Sequence, residues 1–467
     1  MKHPTPAVSR RRCVLAPFGQ PVLWAAMTAV LLLSMVPLSQ AGQRFPLYPE
    51  IQANVSFWKD VYGRYTSRQG ILHDRDNLHI VYAVIDLVDW EAPGSGQINR
   101  NLIKYARRHL KNILTDLGHG KKATTAQARR IAALFPKQRH TSFLKARDNI
   151  RLQIGQQDRF RAGVVRSGKY LQAIKTIFRG YGLPQKLAYL PHVESSFNPQ
   201  AHSKAGAAGL WQFTRSTGRN YLTIDTVLDE RYDPLLASHA AARLLKENHS
   251  QLGTWPLALT AYNYGRSGML RAVKQHHDYV TIFQEYNQGY FKFASRNFYS
   301  EFLAATQVAE ALAADPTLFP ERPEAIITLP LKGYASAQSL RNFFRVSKQD
   351  FARLNPALRS SVLQGRKLVP KGYPLRLPGS KRIRLKRSQL KASFYQSRQR
   401  EGEGSVHLVR RGDTVSSIAR RYKTTTKALR QLNRLNRQAT IRVGQQLAVP
   451  HHPGKIITLK TISKNKP

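Results

Sequence analysis

The run His192-Val193-Glu194-Ser195-Ser196-Phe197-Asn198-Pro199, continued by Ser203, Gly206 and Gly209-Leu210-Trp211-Gln212, sets one carboxyl where a short apolar helix meets a Gly- and Ser-rich loop. Leu187, Leu190 and Val193 flank Glu194 in sequence. A carboxyl against such a wall loses hydration, which disfavours its charged form and raises its pKa. A glutamic acid still protonated near neutral pH can serve as a general acid. A single Glu in this setting is more commonly a helix cap or a surface side chain, so the surrounding sequence has to discriminate.

Outward from this run the pattern is helical. Leu171, Ile174 and Phe178 share one helix face, and Gly180, Gly182 and Pro184 end that helix. Asp233-Pro234 reads as a helix start, with Asp as N-cap and Pro at the first position. Ser238–Glu247 follows with Ala240, Ala241, Leu244 and Leu245, and Pro256–Tyr264 and Glu301–Leu312 supply two further helices. Residues 163–313 are therefore expected to form an all-α domain.

The motif continues beyond Gln212. Glu194-Ser195, Ser203, Gly206-Ala207-Ala208-Gly209-Leu210-Trp211-Gln212 and Ala261-Tyr262-Asn263-Tyr264-Gly265 together resemble the soluble lytic transglycosylase family, within the goose-type lysozyme superfamily. Trp211, Asp229-Glu230-Arg231 and Trp255-Pro256-Leu257-Ala258-Leu259 are similar to its membrane-bound lytic transglycosylase D branch. The resemblance spans about residues 165–312. It implies a lysozyme-like fold, and cleavage between N-acetylmuramic acid (MurNAc) and N-acetylglucosamine (GlcNAc) with Glu194 as general acid and then base. Its products would carry 1,6-anhydro-MurNAc ends. It also implies that Ser195, Ser203, Gln212, Tyr262 and Asn263 bind substrate, and that neither a cofactor nor a metal is needed. Two departures bear on substrate preference. Tyr264 stands where the branch has Ala, and Ala294-Ser295-Arg296-Asn297-Phe298 where it often has Glu-Thr-Arg-Asn-Tyr.

Residues 325–378 and 405–450 read as two β–α–α–β units. They end alike, in Leu375-Arg376-Leu377-Pro378 and Leu447-Ala448-Val449-Pro450, and share Leu354-Asn355 and Leu432-Asn433, the signs of a diverged internal repeat. The second resembles a LysM domain through Val409, Gly412-Asp413-Thr414-Val415, Ile418-Ala419, Leu429, Leu432-Asn433, Ile441 and Gly444-Gln445, with His407 replacing the first aromatic. That resemblance implies binding of GlcNAc-containing glycans. Residues 325–378 would be a degenerate copy. Residues 379–404 read as a basic linker and 451–467 as a polar tail.

At the other end, Lys2 and Arg10-Arg11-Arg12, the apolar run Val22–Val36 and Ser39-Gln40-Ala41 have the order of a secretory signal peptide over residues 1–41. The expected location is the periplasm or cell envelope; an uncleaved inner-membrane anchor is the alternative. The only cysteine, Cys13, lies in this leader, which leaves the mature chain without thiol or disulfide chemistry. Residues 42–162 read as a helical N-terminal extension, with Asn101–Leu117 at helical spacing and Thr124-Thr125 as a cap.

The formal net charge is +47, and +43 without the leader. Such a surface attracts polyanions. Peptidoglycan strands are the expected partner, with cell-envelope assemblies and peripheral membrane association as further candidates. No nucleic-acid-binding motif accompanies the charge, so no specific nucleic-acid partner is expected. The 15 histidines show no metal-ligand spacing. Asp225, Asp229, Glu230 and Asp233 could supply a second carboxylate, but read better as caps and surface acids. The aromatic stretch Phe283–Phe298 fits a glycan platform and a packed core equally. Against the enzyme stand two alternatives: an inactive wall-binding protein, and a hydrolytic muramidase.

Overall fold

The computed structural model describes residues 44–135, 140–400, 405–422, 424–433, 435–436 and 438–449. The leader, with Cys13, and the tail 451–467 lie outside the described residues. The described part is mostly helical, as expected.

The N-terminal region corrects the expectation of a helical extension. Helix α1 (Gln52–Gly63) is followed by strands β1 (Gln69–Asp74) and β2 (Val81–Asp86), helices α2 (Ser95–Gly118), α3 (Ala126–Ala133) and α4 (His140–Asp148), and strand β3 (Ile150–Ile154). The strands form an antiparallel sheet in the order β2-β1-β3, with Ile71 opposite Val84 and Leu72 opposite Leu152. Leu72, Tyr82, Leu110, Leu114, Ile131 and Phe143 fill the core between sheet and helices. Polar groups inside this core obscure the strand alternation. His73 and Asp74 are buried, and Asp74 accepts from the Tyr82 hydroxyl (2.8 Å) and the Asp76 and Asn77 amides (both 2.9 Å). Thr125 caps α3 as expected, accepting from the Ala128 amide.

The central region contains α5 (Gln157–Ser167), α6 (Leu171–Gly180), a 3₁₀ turn (Gln185–Tyr189), α7 (Pro191–Ser195), α8 (Arg215–Gly218), α9 (Pro234–Leu252), α10 (Trp255–Tyr264), α11 (Arg266–His276), α12 (Tyr279–Glu285) and α13 (Phe293–Ala313). Asp233 caps α9 with one oxygen, which accepts from the Leu235 and Leu236 amides at 3.0 Å each. Ile174 and Phe178 on α6 are fully buried. Helix α13 is the spine: it packs against α1, α5, α7 and α10. The first helix of the extension thus lies against the element that backs Glu194.

After α13 come β4 (Ile326–Pro330), α14 (Ala337–Phe344), α15 (Lys348–Leu354), α16 (Ser360–Leu363) and β5 (Pro374–Pro378), with β4 and β5 paired antiparallel. The unit shares its core with the central region. Val227 and Leu228 pack with Leu340, Phe344, Phe351, Leu375 and Leu377. Arg376 pairs with Asp233 through its two terminal guanidinium nitrogens. Residues expected to be a linker continue the packing: α17 (Lys381–Ser388) buries Ile383 in the same core, and Gln396 pairs with Tyr334 through backbone hydrogen bonds of 2.8 and 3.1 Å.

The last unit has β6 (Ser405–Leu408), α18 (Val415–Arg421), α19 (Thr426–Leu432) and β7 (Gln446–Val449), with β6 antiparallel to β7. Thr414 and Ser417 form a capping box on α18. Val409, Val415, Ile418, Leu429, Leu447 and Val449 make a small separate core. Among the described residues no helix is long and apolar enough to cross a membrane.

Candidate active site

Glu194 sits on the last turn of α7, which Pro191 opens at its first position. The helix ends in two consecutive left-handed residues, Ser196 (φ 48°) and Phe197 (φ 54°). Non-glycine residues in this region cost of order 1–3 kcal/mol each and persist where the surroundings hold them. Here the surroundings are specific. Arg166 on α5 grips the Ser196 carbonyl with Nε (3.2 Å) and Nη2 (2.7 Å). Phe197 is fully buried and its amide donates to the Pro191 carbonyl at 3.1 Å.

Behind Glu194 the wall is apolar and aromatic. His192 is buried with neither ring nitrogen hydrogen-bonded, between Phe160 (5.2 Å), Phe197 (4.4 Å) and Tyr189 (6.0 Å). Burial, then the Arg166 charge, lowers its pKa to about 3, so it remains a neutral ring. Glu194 responds to the same surroundings in the opposite direction. Burial, followed by the nearby Glu301 carboxyl, pushes its pKa up to about 8. It is therefore protonated at neutral pH, as a general acid must be.

The loop after α7 is held by hydrogen bonds to backbone. The Ser195 hydroxyl donates to the Leu210 carbonyl at 2.8 Å, tying α7 to the Gly209–Gln212 turn. Ser203 Oγ accepts from the Ala207 amide (3.0 Å) and the Ser203 amide donates to the Ala207 carbonyl (2.9 Å), closing a small loop. Gln212 is itself left-handed (φ 46°), and its Nε2 donates to the Gly209 carbonyl at 2.9 Å. Gly209 has φ 78°, and a Cβ there would lie 1.7 Å from the Arg231 carbonyl oxygen. Only glycine fits. Trp211 is fully buried, stacks on Phe178 at 5.4 Å, and donates Nε1–H to Ser238 Oγ at 2.8 Å.

The far side comes from α10. The Tyr262 hydroxyl donates to the Trp211 carbonyl at 2.8 Å, and its ring stacks on Phe298 at 6.5 Å. Burial, then Glu194, raises the Tyr262 pKa well above that of a free tyrosine, so it stays a phenol. Asn263 is exposed, and its Oδ1 accepts from Ser295 Oγ at 2.7 Å. The structure brings Glu194, Ser195, Gln212 and Tyr262 together around one turn. Of these, Ser195 uses its hydroxyl to fasten that turn.

The four acids named from sequence take structural roles, though buried or partly buried rather than on the surface. Asp229 forms a buried two-point pair with Arg231 (2.9 Å for each contact) and meets Arg359 at 3.2 Å. Asp233 caps α9 and pairs with Arg376. Asp225 accepts from the Val227 and Leu228 amides. Glu230 accepts from the Thr223 amide at 2.7 Å. The acid that does act on Glu194 is Glu301. Its helix was legible from sequence, but this influence was not, because α7 and α13 come together only through helix packing. The aromatic stretch Phe283–Phe298 divides: Tyr286, Phe291 and Phe298 are buried core, and Tyr290 is 92% exposed. Among the described residues, no group of three or more His, Cys, Asp and Glu side chains is placed to hold a metal ion.

In the C-terminal unit His407, at the replaced aromatic position, is buried. Its Nε2 lies 2.7 Å from Asp413 and its Nδ1 3.2 Å from the Tyr422 hydroxyl. The Arg410 amide and His407 hold the Asp413 carboxyl below the usual carboxylate range.

Comparison with known proteins agrees with the motifs. The family described as transglycosylase SLT domain matches residues 173–282, and the LysM domain family matches residues 407–450. The chain is similar to membrane-bound lytic murein transglycosylase D of Escherichia coli (strain K12), with 28% identity over 304 residues. The match covers 61% of this chain and 64% of that protein, less than two thirds of the relative's length. Two solved structures are each 17% identical: an inactive mutant of lytic transglycosylase Slt from Pseudomonas aeruginosa, and the 70 kDa soluble lytic transglycosylase of Escherichia coli. They cover 48% and 46% of this chain and 35% and 31% of theirs, with TM-scores of 0.27 and 0.24. The chain therefore carries a transglycosylase SLT domain and, C-terminal to it, a LysM domain, in homology to membrane-bound lytic murein transglycosylase D.

Proposed function

We propose that this chain is an exported lytic transglycosylase of the periplasm that cleaves the β-1,4 bond between MurNAc and GlcNAc in peptidoglycan. The observation that carries this reading is Glu194, a carboxyl kept protonated to about pH 8 on a wall of apolar side chains, beside Tyr262 and the Gly209–Gln212 turn. Protonated Glu194 donates to the glycosidic oxygen as the bond breaks and positive charge develops at the muramic anomeric carbon. Ser203 and Gln212 orient the sugar, and Tyr262 and Asn263 line the opposite wall, with Tyr262, its hydroxyl fixed on the Trp211 carbonyl, assisting at the reacting centre. Glu194, now ionised in a site that disfavours its charge, takes the proton from the muramic 6-hydroxyl. That oxygen closes on the anomeric carbon to give the 1,6-anhydro ring. No external water, metal or organic cofactor enters the step. The LysM unit holds the enzyme on GlcNAc-containing strands, aided by the net positive charge.

The test is mass analysis of sugars released from purified peptidoglycan by the wild type and by Glu194→Gln. Anhydro ends from the wild type, and a rate lower by roughly 10²–10⁴-fold in the variant, are expected. Products heavier by one water would mean hydrolysis. Unchanged cleavage by the variant would remove Glu194 from the chemistry, and no release by the wild type would favour a wall-binding protein.

A further inference from the structure

A cavity of about 800 Å³ lies where the N-terminal sheet meets α12 and α13, and its lining includes none of the residues around Glu194. That volume falls in the range of small-ligand sites, about 300–1,000 Å³. Four cations line it: Arg75 from the β1–β2 loop, Arg151 from β3, and Lys292 and Arg296 at the start of α13. Among the described residues the lining holds one acid, Asp76. Asp76 is already engaged, by Arg75 at 3.1 Å and by Asn149 Nδ2 at 2.7 Å. Arg296 directs its donors at neutral acceptors, the carbonyls of Phe283 and Tyr286 and Asn287 Oδ1, which fix the side chain and leave its charge uncompensated. Arg151 lies over the Phe293 ring, its guanidinium 3.9 Å from the ring centre, and its Nε is buried without a hydrogen-bond partner. A buried guanidinium donor without an acceptor is costly unless a ligand supplies one.

Helix α13 joins this cavity to the active site. Phe293, Arg296 and Asn297 line the cavity, while Ser295 donates to Asn263 at 2.7 Å and Phe298 stacks on Tyr262. Asn297 accepts from Asn54 of α1 at 2.7 Å, which pins the N-terminal region to the same turns. We propose that this cavity binds the acidic peptide stems that branch from the glycan strand, with Arg151 and Lys292 receiving their carboxylates and Phe293 packing against their aliphatic carbon. This role rests on the transglycosylase reading above. The guanidinium fork of Arg151 matches a carboxylate in two-point geometry, and Lys292 adds a point charge. The peptide hangs from the lactyl group of the muramic sugar, so a strand held at Asn263 presents its stem beside α13. A helix with its side chains is about 10–12 Å across, and four residues of extended peptide span about 13 Å. A stem rooted in the cleft therefore reaches the cavity. The N-terminal region is on this account a working part of substrate binding.

The experiment is isothermal titration calorimetry of the full chain with a synthetic stem peptide bearing free carboxylates, with the same peptide amidated, and with inorganic phosphate. The wild type should bind the acidic peptide. Amidation, or the double substitution Arg151→Met with Lys292→Gln, should weaken binding by about tenfold or more. Methionine keeps an apolar side chain over Phe293, and Lys292→Gln alone, at an exposed position, should give a smaller loss in the same direction. The charge-matched control Lys104→Gln with Arg108→Gln on α2, outside the lining, should bind as the wild type does. On strands, the ratio of kcat/KM for peptide-bearing over peptide-free glycan should fall in the double variant. A wild type that ignores the peptide, equal affinity for the amidated peptide, or an equal loss in the control would overturn the proposal. Phosphate competing as well as the peptide would do so too, since it would reduce the cavity to a bare anion site. A wild type that releases no glycan would instead overturn the transglycosylase reading, and the calorimetry would still judge the cavity.

Discussion

Asn355 and Asn433 make the same three hydrogen bonds in two different units. Asn355 Nδ2 donates to the Phe351 and Arg376 carbonyls (both 2.9 Å), and its Oδ1 accepts from the Arg376 amide (2.9 Å). Asn433 does so with the carbonyls of Leu429 (2.8 Å) and Ala448 (2.6 Å) and the Ala448 amide (2.5 Å). Each clamps the end of the second helix to the closing strand. The shared Leu-Asn of the sequence therefore has a common physical cause in two units with different surroundings. One has merged its core with the central region; the other keeps its own.

This divergence predicts different consequences for the same substitution. Asn433→Ala strands the Ala448 amide and should cost the C-terminal unit about 1–3 kcal/mol. Pull-down on insoluble peptidoglycan should weaken while the rate on short soluble glycans holds. Asn355→Ala should instead lower the melting temperature of the central region, because Val227 and Leu228 share that core. Thermal melts with the two assays side by side check both outcomes.

Gly209→Ala should be among the most damaging single-atom changes. The added methyl would overlap the Arg231 carbonyl and face a φ of 78°. The turn that holds Gln212 and the Trp211 carbonyl would shift, so we expect both a stability loss above about 1 kcal/mol and a fall in kcat. A variant with wild-type melting temperature and rate would contradict the geometry.

Arg376→Met should show that the 325–378 unit is part of the central region. It removes the partner of a buried Asp233, and breaking such a pair costs about 3–5 kcal/mol. The loss should appear in denaturant unfolding of the whole catalytic region. A transition confined to the C-terminal residues would count against it.

Stability and activity should both decline on the alkaline side. Glu194 and Glu301 are each pushed up to about 8 by burial, above their unfolded value near about 4.3. The folded state then binds more protons than the unfolded one, so this contribution is complete below about pH 4.3 and disappears as pH rises through 8. Glu194→Gln cannot ionise. It should melt higher than the wild type at pH 9, with the difference shrinking toward pH 4, although its activity is lost. Paired melting curves across that range check the sign.

The local signals in this chain were strong where the physics is local. The Asp233-Pro234 start, the Gly180–Pro184 stop, the Glu194–Gln212 spacing and the repeated Leu-Asn are short-range devices of capping, turn geometry and side-chain clamping, and each is readable within about twenty residues. The β2-β1-β3 sheet was not readable, because β1 pairs with β3 across α2, α3 and α4, and buried His73 and Asp74 break the apolar alternation. Nor was the company kept by Glu194. The sequence by itself determined that one glutamate would sit at a helix–loop junction in an all-α domain ahead of a LysM unit. Only the tertiary structure decided that α13 would pack behind α7 and that α1 would lie along α13. Those contacts depend on the packing of helices far apart in the chain, and long-range packing leaves no periodicity in the residues that make it.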